Sequence, residues 1–103
     1  MKGKIVSASL SLIPSEAGGR FGPVRSGYRS LVRLEGGSVD FGFELTLDAT
    51  AGSEGIWPSC VGSGRLSFWA VDNLPSLSKG QRFEVREGTR IIGFGEIIDP
   101  NPA

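Results

Sequence analysis

The sequence predicts an all-β domain of about six antiparallel strands, closed as a small barrel or stacked as a sandwich. Three observations predict this class. Short stretches of alternating apolar and polar residues recur along the chain, and no stretch has the spacing of an amphipathic helix. The 16 glycines among 103 residues lie between these stretches, where turns are expected. The length suits one domain, which we place at residues 1–98, with a flexible tail at 99–103.

The N-terminal half contains three predicted strands. Residues 5–13 alternate apolar residues with serines until Pro14, and residues 28–34 alternate in a similar way. Between them, residues 14–27 hold four glycines and two prolines, which predicts a long loop. A long loop in a small domain is usually functional or packed against a partner. Residues 39–48 follow a Gly-Gly turn and show the clearest alternation in the sequence.

The C-terminal half is predicted to hold one further strand and a hairpin. Residues 49–64 are rich in glycine and serine and predict a loop with at most a short strand. Residues 65–71 predict a strand whose inward face the sequence does not decide, and residues 72–80 predict a loop. Residues 81–86 and 89–98 then predict two strands joined by a tight turn.

The turn of this hairpin is predicted at Glu87-Gly88, since glycine tolerates the positive φ that a two-residue turn needs. A two-residue turn there pairs Val85 with Arg90. It also places four apolar side chains on one face: Phe83, Val85, Ile92 and Phe94.

The residue counts exclude several classes of function. Without histidine, the chain has no Ser-His-Asp or Cys-His nucleophile system. A single cysteine excludes an internal disulfide and, with no histidine, a structural zinc site. Cys60 is therefore expected to be a partly buried, unreactive thiol. Gly93-Phe94-Gly95 lies inside a predicted strand rather than before a helix, which favours close backbone packing over phosphate binding.

We accordingly expect a protein that is not an enzyme and that binds no cofactor, metal or nucleotide. No apolar stretch approaches the roughly 18 residues of a membrane span, and serines interrupt the run after the basic start, unlike a signal peptide. The expected location is therefore the cytoplasm, without membrane association.

The formal net charge of zero hides a strong division along the chain. Residues 20–33 carry four arginines and no acid, whereas residues 35–54 carry five acids and no base. Residues 79–90 mix both signs. Two interpretations stay open. One is an ordinary solvated surface. The other is a basic face opposite an acidic one, suited to a polyanion or to an acidic protein surface.

Two segments resemble a known family. Residues 16–29 read EAGGRFGPVRSGYR and residues 82–97 read RFEVREGTRIIGFGEI. Both resemble the C-terminal β-barrel, the third domain, of bacterial elongation factor Tu, and they occur in the same order. The similarity spans roughly residues 5–98, but it is specific only in these two segments.

The resemblance implies a six-stranded antiparallel barrel without catalytic activity. In the family this domain docks on the GTPase domain and contacts the T-stem backbone of aminoacyl-tRNA. The matching positions here are Gly19 and Arg20, then Arg29, then Glu87 and Gly88. Arginines and turn amides suit phosphate and ribose contacts that read no bases. Where the family usually continues Pro-Gln-Phe, this chain has Ser-Leu-Val at residues 30–32.

The first hypothesis is a free-standing module that binds RNA or a component of the translation machinery. The candidate binding residues are Gly19, Arg20, Arg25, Arg29, Arg33, Arg86, Glu87, Gly88 and Arg90. The alternative is a protein-interaction, regulatory or immunity-type module that mimics the elongation factor barrel without binding RNA. A third hypothesis is a homo-oligomer with Trp57 and Trp69 in its interface. The sequence does not decide between a monomer and a homodimer.

Overall fold

A computed structural model describes residues 3–48, 55–69, 72 and 74–102 of the chain. The described residues form six β-strands and one 3₁₀ turn at Ser15–Ala17. The strands are β1 (Lys4–Leu12), β2 (Arg29–Leu34), β3 (Asp40–Leu47), β4 (Val61–Phe68), β5 (Arg82–Glu87) and β6 (Arg90–Asp99). Five of these agree with the sequence prediction to within one residue at each end, because their alternation is regular.

The six strands close into one antiparallel barrel in the order β1-β4-β3-β2-β5-β6. β1 completes the closure because it pairs with β4 on one side and with β6 on the other. Strands β1, β3 and β5 finish at the same end of the barrel, where β2, β4 and β6 begin. We call this the hairpin end, since it carries the tight turn between β5 and β6. The predicted all-β fold and the six-stranded antiparallel barrel are confirmed.

Alternate side chains of every strand point into the barrel and form its core. The buried apolar residues of the described chain are Val6, Ala8, Leu10, Leu12, Val24, Val32, Leu34, Phe41, Phe43, Leu45, Ile56, Leu66, Phe68, Phe83, Val85, Ile92 and Ile97. Two of them, Val24 and Ile56, come from loops rather than strands. Their backbones exchange two hydrogen bonds of 2.9 and 2.8 Å, so these loops together cover the hairpin end.

A glycine on β6 makes room for the largest side chain of the neighbouring strand. Gly95 lies opposite Phe83 in the β5–β6 register. The Phe83 ring occupies the space that a Cβ on residue 95 would need, and the carbonyl oxygen of Ser9 lies 2.7 Å from that same position. Any side chain at residue 95 therefore has to displace both an aromatic ring and strand backbone.

The predicted start of the fourth strand was wrong by four residues. The strand was expected over residues 65–71, but β4 runs from Val61 to Phe68, and residues 70 and 71 lie outside the described part of the chain. Gly62 and Gly64 gave these first residues the composition of a loop. The structure explains Gly64: it is buried, and a Cβ there meets the backbone of Leu47 at 3.1 Å.

The hairpin turn lies one residue further along than predicted. Glu87 pairs with Arg90, so the two turn residues are Gly88 and Thr89 rather than Glu87 and Gly88. Gly88 has a φ of 62°, which is the left-handed conformation that tight hairpin turns require.

The predicted register of the hairpin was also wrong. Val85 pairs with Gly93 rather than with Arg90, and the pairing shifts between Val85 and Arg86. Because such a bulge inserts one residue, it reverses the alternation on β6. Ile92 consequently stays in the core, whereas Phe94, predicted on the same apolar face, lies outside with 48% of its surface exposed.

Cys60 is exposed, in contrast to the predicted partly buried thiol. It directly precedes β4, and its amide donates to the Trp57 carbonyl at 3.0 Å to form a turn. Its own carbonyl accepts from the Leu12 amide at the end of β1, also at 3.0 Å. The thiol is free.

The described part of the chain has no helix with the length and apolar character needed to cross a membrane. Across those same residues, no three side chains of the metal-binding types come together as a candidate metal site.

Replacing Gly95 with alanine is expected to destabilise the barrel by about 1–3 kcal/mol, the usual effect of overpacking a core. The measurement is urea denaturation with an unchanged m-value. Gly22→Ala is the control, because a Cβ at residue 22 meets no atom within 4 Å. Equal stability of the two variants contradicts the packing described for Phe83.

Candidate functional site

Four polar side chains from three segments meet at the hairpin end. Arg20 comes from the loop between β1 and β2, Tyr28 immediately precedes β2, and Glu87 and Arg90 flank the β5–β6 turn. We call these four residues the Glu87 cluster. The Arg20–Glu87 and Tyr28–Glu87 contacts join residues 67 and 59 positions apart in the sequence. They form in the folded barrel, where β2 lies beside β5.

The Glu87 carboxylate accepts a hydrogen bond from each of the other three members. Its Oε2 accepts from the Tyr28 hydroxyl at 2.7 Å and from Arg20 Nη1. Its Oε1 accepts from Arg90 Nη2 at 3.0 Å. The Arg20 guanidinium also lies 5.0 Å from the centre of the Tyr28 ring, within cation–π range. One carboxylate therefore orients two arginines and a tyrosine.

The hydrogen bonds to Glu87 change its acidity. Burial by itself raises the pKa of this carboxyl, but the hydrogen bonds from Tyr28, Arg20 and Arg90 outweigh that effect and lower the pKa below its ordinary value of 4.5. Burial, together with the Glu87 carboxylate, raises the pKa of Tyr28 to about 12. Both shifts preserve the charge state that the cluster needs: an ionised Glu87 and a neutral Tyr28.

The two predicted glycines at this end have conformational roles. Gly19 is buried, and its amide donates to the Pro14 carbonyl at 3.1 Å. A Cβ on residue 19 meets the carbonyl oxygens of Ile13 and Pro14, so the loop can turn here only with glycine. Gly88 supplies the positive φ of the hairpin turn.

Two predicted arginines lie along β2, on the outer wall of the barrel. Arg29 is 3.0 Å from the Glu44 carboxylate and Arg33 is 2.7 Å from Asp40, each opposite its partner in the β2–β3 register. Arg29 and Arg33 of the arginine-rich stretch thus pair with Glu44 and Asp40 of the acidic stretch, which lie on the neighbouring strand. These four residues do not form a basic face opposite an acidic one.

Arg86 is largely shielded from solvent by its neighbours. Its side chain is only 13% exposed and pairs with Glu84 at 2.6 Å. Its Nη2 donates to the Thr89 carbonyl at 3.1 Å, and its backbone carbonyl accepts from the Ser30 hydroxyl. Its Nε is buried and has no hydrogen-bond partner among the described atoms. Arg86 thus links β5 to the hairpin turn and to β2.

The structure brings six of the nine predicted site residues to the hairpin end: Gly19, Arg20, Arg86, Glu87, Gly88 and Arg90. Arg25 also follows Val24 in the loop that covers this end, and its side chain is exposed. Arg29, the first residue of β2, also lies at this end, but its side chain pairs with Glu44 on the outer wall. Arg33 lies further along the wall.

Three aromatic residues, two at the hairpin end and one on the outer wall, were not among the predicted site residues. Tyr28 belongs to the Glu87 cluster, although it was predicted only as part of a motif. Phe21 is 87% exposed in the loop next to Arg20. Trp69 lies over Gly42 on the outer wall, with the Arg29 guanidinium 5.8 Å from its ring. A large apolar residue within a glycine-rich polar loop is the sequence signal that could have singled out Phe21.

Comparison with known proteins gives no family: no protein-family model matches the sequence, and no curated protein matches it either. The resemblance to the third domain of elongation factor Tu therefore stays a prediction.

Removing the Glu87 carboxylate is expected to make stability less dependent on acid pH. Because the folded pKa of Glu87 lies below its ordinary value of 4.5, its contribution is complete above that value and disappears as the pH falls through the folded pKa. Glu87→Gln should lose about 1–2 kcal/mol at pH 7. The difference from the wild type should shrink below pH 4.5.

Denaturant unfolding of both proteins across this pH range measures the effect. Glu44→Gln, which removes one partner of the more exposed Arg29 pair, is the control and should cost less than about 1 kcal/mol. A Glu87→Gln deficit that stays constant down to pH 2 contradicts the assignment.

Tyr28 is the only tyrosine in the chain, so its ionisation can be followed directly by ultraviolet difference absorbance. We expect a midpoint near 12 in the folded protein, against 10.0 for a free tyrosine. Since the raised pKa favours the neutral hydroxyl, this stabilisation is present below pH 10 and disappears as the pH rises through the folded pKa. Glu87→Gln should lower the midpoint, and an unchanged midpoint contradicts the hydrogen bond to Glu87.

Proposed function

We propose that this protein is a non-catalytic module that binds another protein through its hairpin end. The observation that carries the proposal is the pairing of its arginines. Five of the six arginines predicted to contact RNA each lie within 3.0 Å of a carboxylate oxygen: Arg20, Arg29, Arg33, Arg86 and Arg90. Binding to a polyanion depends on the number of phosphates that free cations neutralise. A surface whose arginines are paired with carboxylates is better suited to a protein.

The composition of the hairpin end also fits a protein interface. Binding energy in such interfaces concentrates on aromatic residues and arginine, surrounded by polar groups. Phe21 and the half-exposed Arg90 supply these residue types, and Glu87 holds the arginine in one orientation. The six strands of the described residues form a closed barrel with no edge for a partner strand to join, which favours contact through loops and side chains.

The absence of a catalytic role is supported by the acidities at this end. General acid–base catalysis works best with groups whose pKa lies near the working pH. Here the pKa of Glu87 is lowered and that of Tyr28 is raised, so both move away from neutrality. The sequence adds no histidine to replace them.

RNA is the second candidate, and one observation favours it. Glu87 is shared by Arg20 and Arg90, so the cluster holds one more positive charge than negative. The resemblance to a tRNA-contacting barrel points the same way. Binding of tRNA that falls steeply with salt and depends on Arg20 supports this candidate over a protein partner.

The immobilised protein is expected to retain a partner protein from an RNase-treated lysate of its source cells. Arg90→Ala should weaken that binding about fivefold, because it removes an exposed charge beside the contact surface. Lys79→Ala is the matched control, since Lys79 is an exposed cation next to the start of β5, at the other end of the barrel. The measurement is titration of the identified partner against each variant. Equal affinity of all three proteins, or loss of the partner on RNase treatment, contradicts the proposal.

A further inference from the structure

Phe21 is far more exposed than any other large apolar side chain of the described residues. Its exposed fraction is 87%, and the next, Val61, reaches 71%. A single exposed apolar residue on a protein surface is ordinary and needs no explanation by itself. The feature that distinguishes Phe21 is the set of hydrogen bonds that hold its loop.

The side chain of Arg20, which precedes Phe21, makes hydrogen bonds to the residues that follow Phe21. Arg20 Nε donates to the Gly22 carbonyl at 3.4 Å, and Arg20 Nη2 donates to the Pro23 carbonyl at 3.5 Å. The remaining Nη1 of the same guanidinium binds Glu87. Arg20 therefore closes the loop around Phe21 and ties its apex to the β5–β6 hairpin.

Both sides of this loop are fixed as well. On the N-terminal side, the Ser15 hydroxyl donates to the Arg20 carbonyl at 2.5 Å. On the C-terminal side, Val24 is buried and is paired with Ile56 by two backbone hydrogen bonds. A backbone ordered in advance loses little entropy when a partner binds. Phe21 is thus presented to solvent by a loop whose backbone is hydrogen-bonded on both sides of the ring.

We propose that Phe21 is the anchor of the partner interface: its ring inserts into an apolar pocket of a partner protein whose rim is acidic. This inference rests on the function proposed above. The acidic rim follows from charge complementarity, because Arg20, the residue before Phe21, shares the one carboxylate of Glu87 with Arg90, which leaves one positive charge in excess. Burial of an aromatic anchor in a pocket of this kind typically dominates the affinity of an interface.

The experiment places a photoreactive benzoylphenylalanine at residue 21 and, as a control, at residue 94. Phe94 is the matched position, since it is also an exposed phenylalanine but lies on the barrel wall. Each full-length variant is irradiated in RNase-treated and untreated lysate of the source cells. The cross-linked molecule is identified, its cross-linked residues are mapped, and the purified partner is then titrated with the wild type and with substituted proteins.

The proposal expects a protein adduct at residue 21 that is absent at residue 94, mapped to an apolar pocket bordered by carboxylates. Phe21→Ala should lower the affinity for the purified partner about tenfold or more, the effect of losing an anchor residue. Phe21→Trp should stay within about threefold of the wild type, since an aromatic ring is kept. Phe94→Ala should bind like the wild type. Because Phe21 is exposed, none of its substitutions should change the thermal melting point.

Other adducts overturn the proposal: RNA at residue 21, a second copy of this chain, or equal labelling at residues 21 and 94. No adduct at residue 21 overturns it as well. Different outcomes of the titrations test the proposed function. If the partner loses affinity with Arg90→Ala but not with Phe21→Ala, the hairpin end binds a protein and only the anchor is wrong. If neither substitution weakens the partner, the hairpin end is not the binding surface.

Discussion

The pairing of β1 with both β4 and β6 is the constraint on which the rest of the molecule depends. Without it the sheet has two open edges. With it, the loop after β1 lies at the same end as the β5–β6 turn, and Arg20 contacts Glu87. The proposed binding surface is therefore formed by several segments of the closed barrel rather than by any single one.

The second organising feature is the distribution of charge between neighbouring strands. β2 carries arginines and β3 carries acids, and their antiparallel register places Arg29 beside Glu44 and Arg33 beside Asp40. Exposed ion pairs of this kind contribute little stability. Their larger consequence is electrostatic, because Arg29 and Arg33 each have their own carboxylate on the barrel wall, whereas Arg20 and Arg90 share one carboxylate in the Glu87 cluster. This local arrangement is what directs the proposed function towards a protein partner.

Much of the fold could be predicted from alternation alone, since β3 places Phe41, Phe43 and Leu45 inside just as their spacing indicates. The register of the hairpin could not be predicted in this way, because the bulge depends on tertiary packing rather than on local sequence. The start of β4 was hidden by Gly64, whose absent side chain matters only when β3 lies beside it. In the candidate site, the sequence indicated the two segments that meet. It could not show that their arginines are paired, because the carboxylates come from distant positions.

The closed topology has a further consequence for synthesis of the chain. β1 is synthesised before both of its neighbours: β4 at Val61–Phe68 and β6 at Arg90–Asp99. Until then β1 has an apolar face and two unpaired edges, the features that favour association between nascent chains. Its outward serines at positions 7, 9 and 11 keep the opposite face polar during this interval. Contacts this distant in sequence also make folding slow relative to that of a helical domain of equal length.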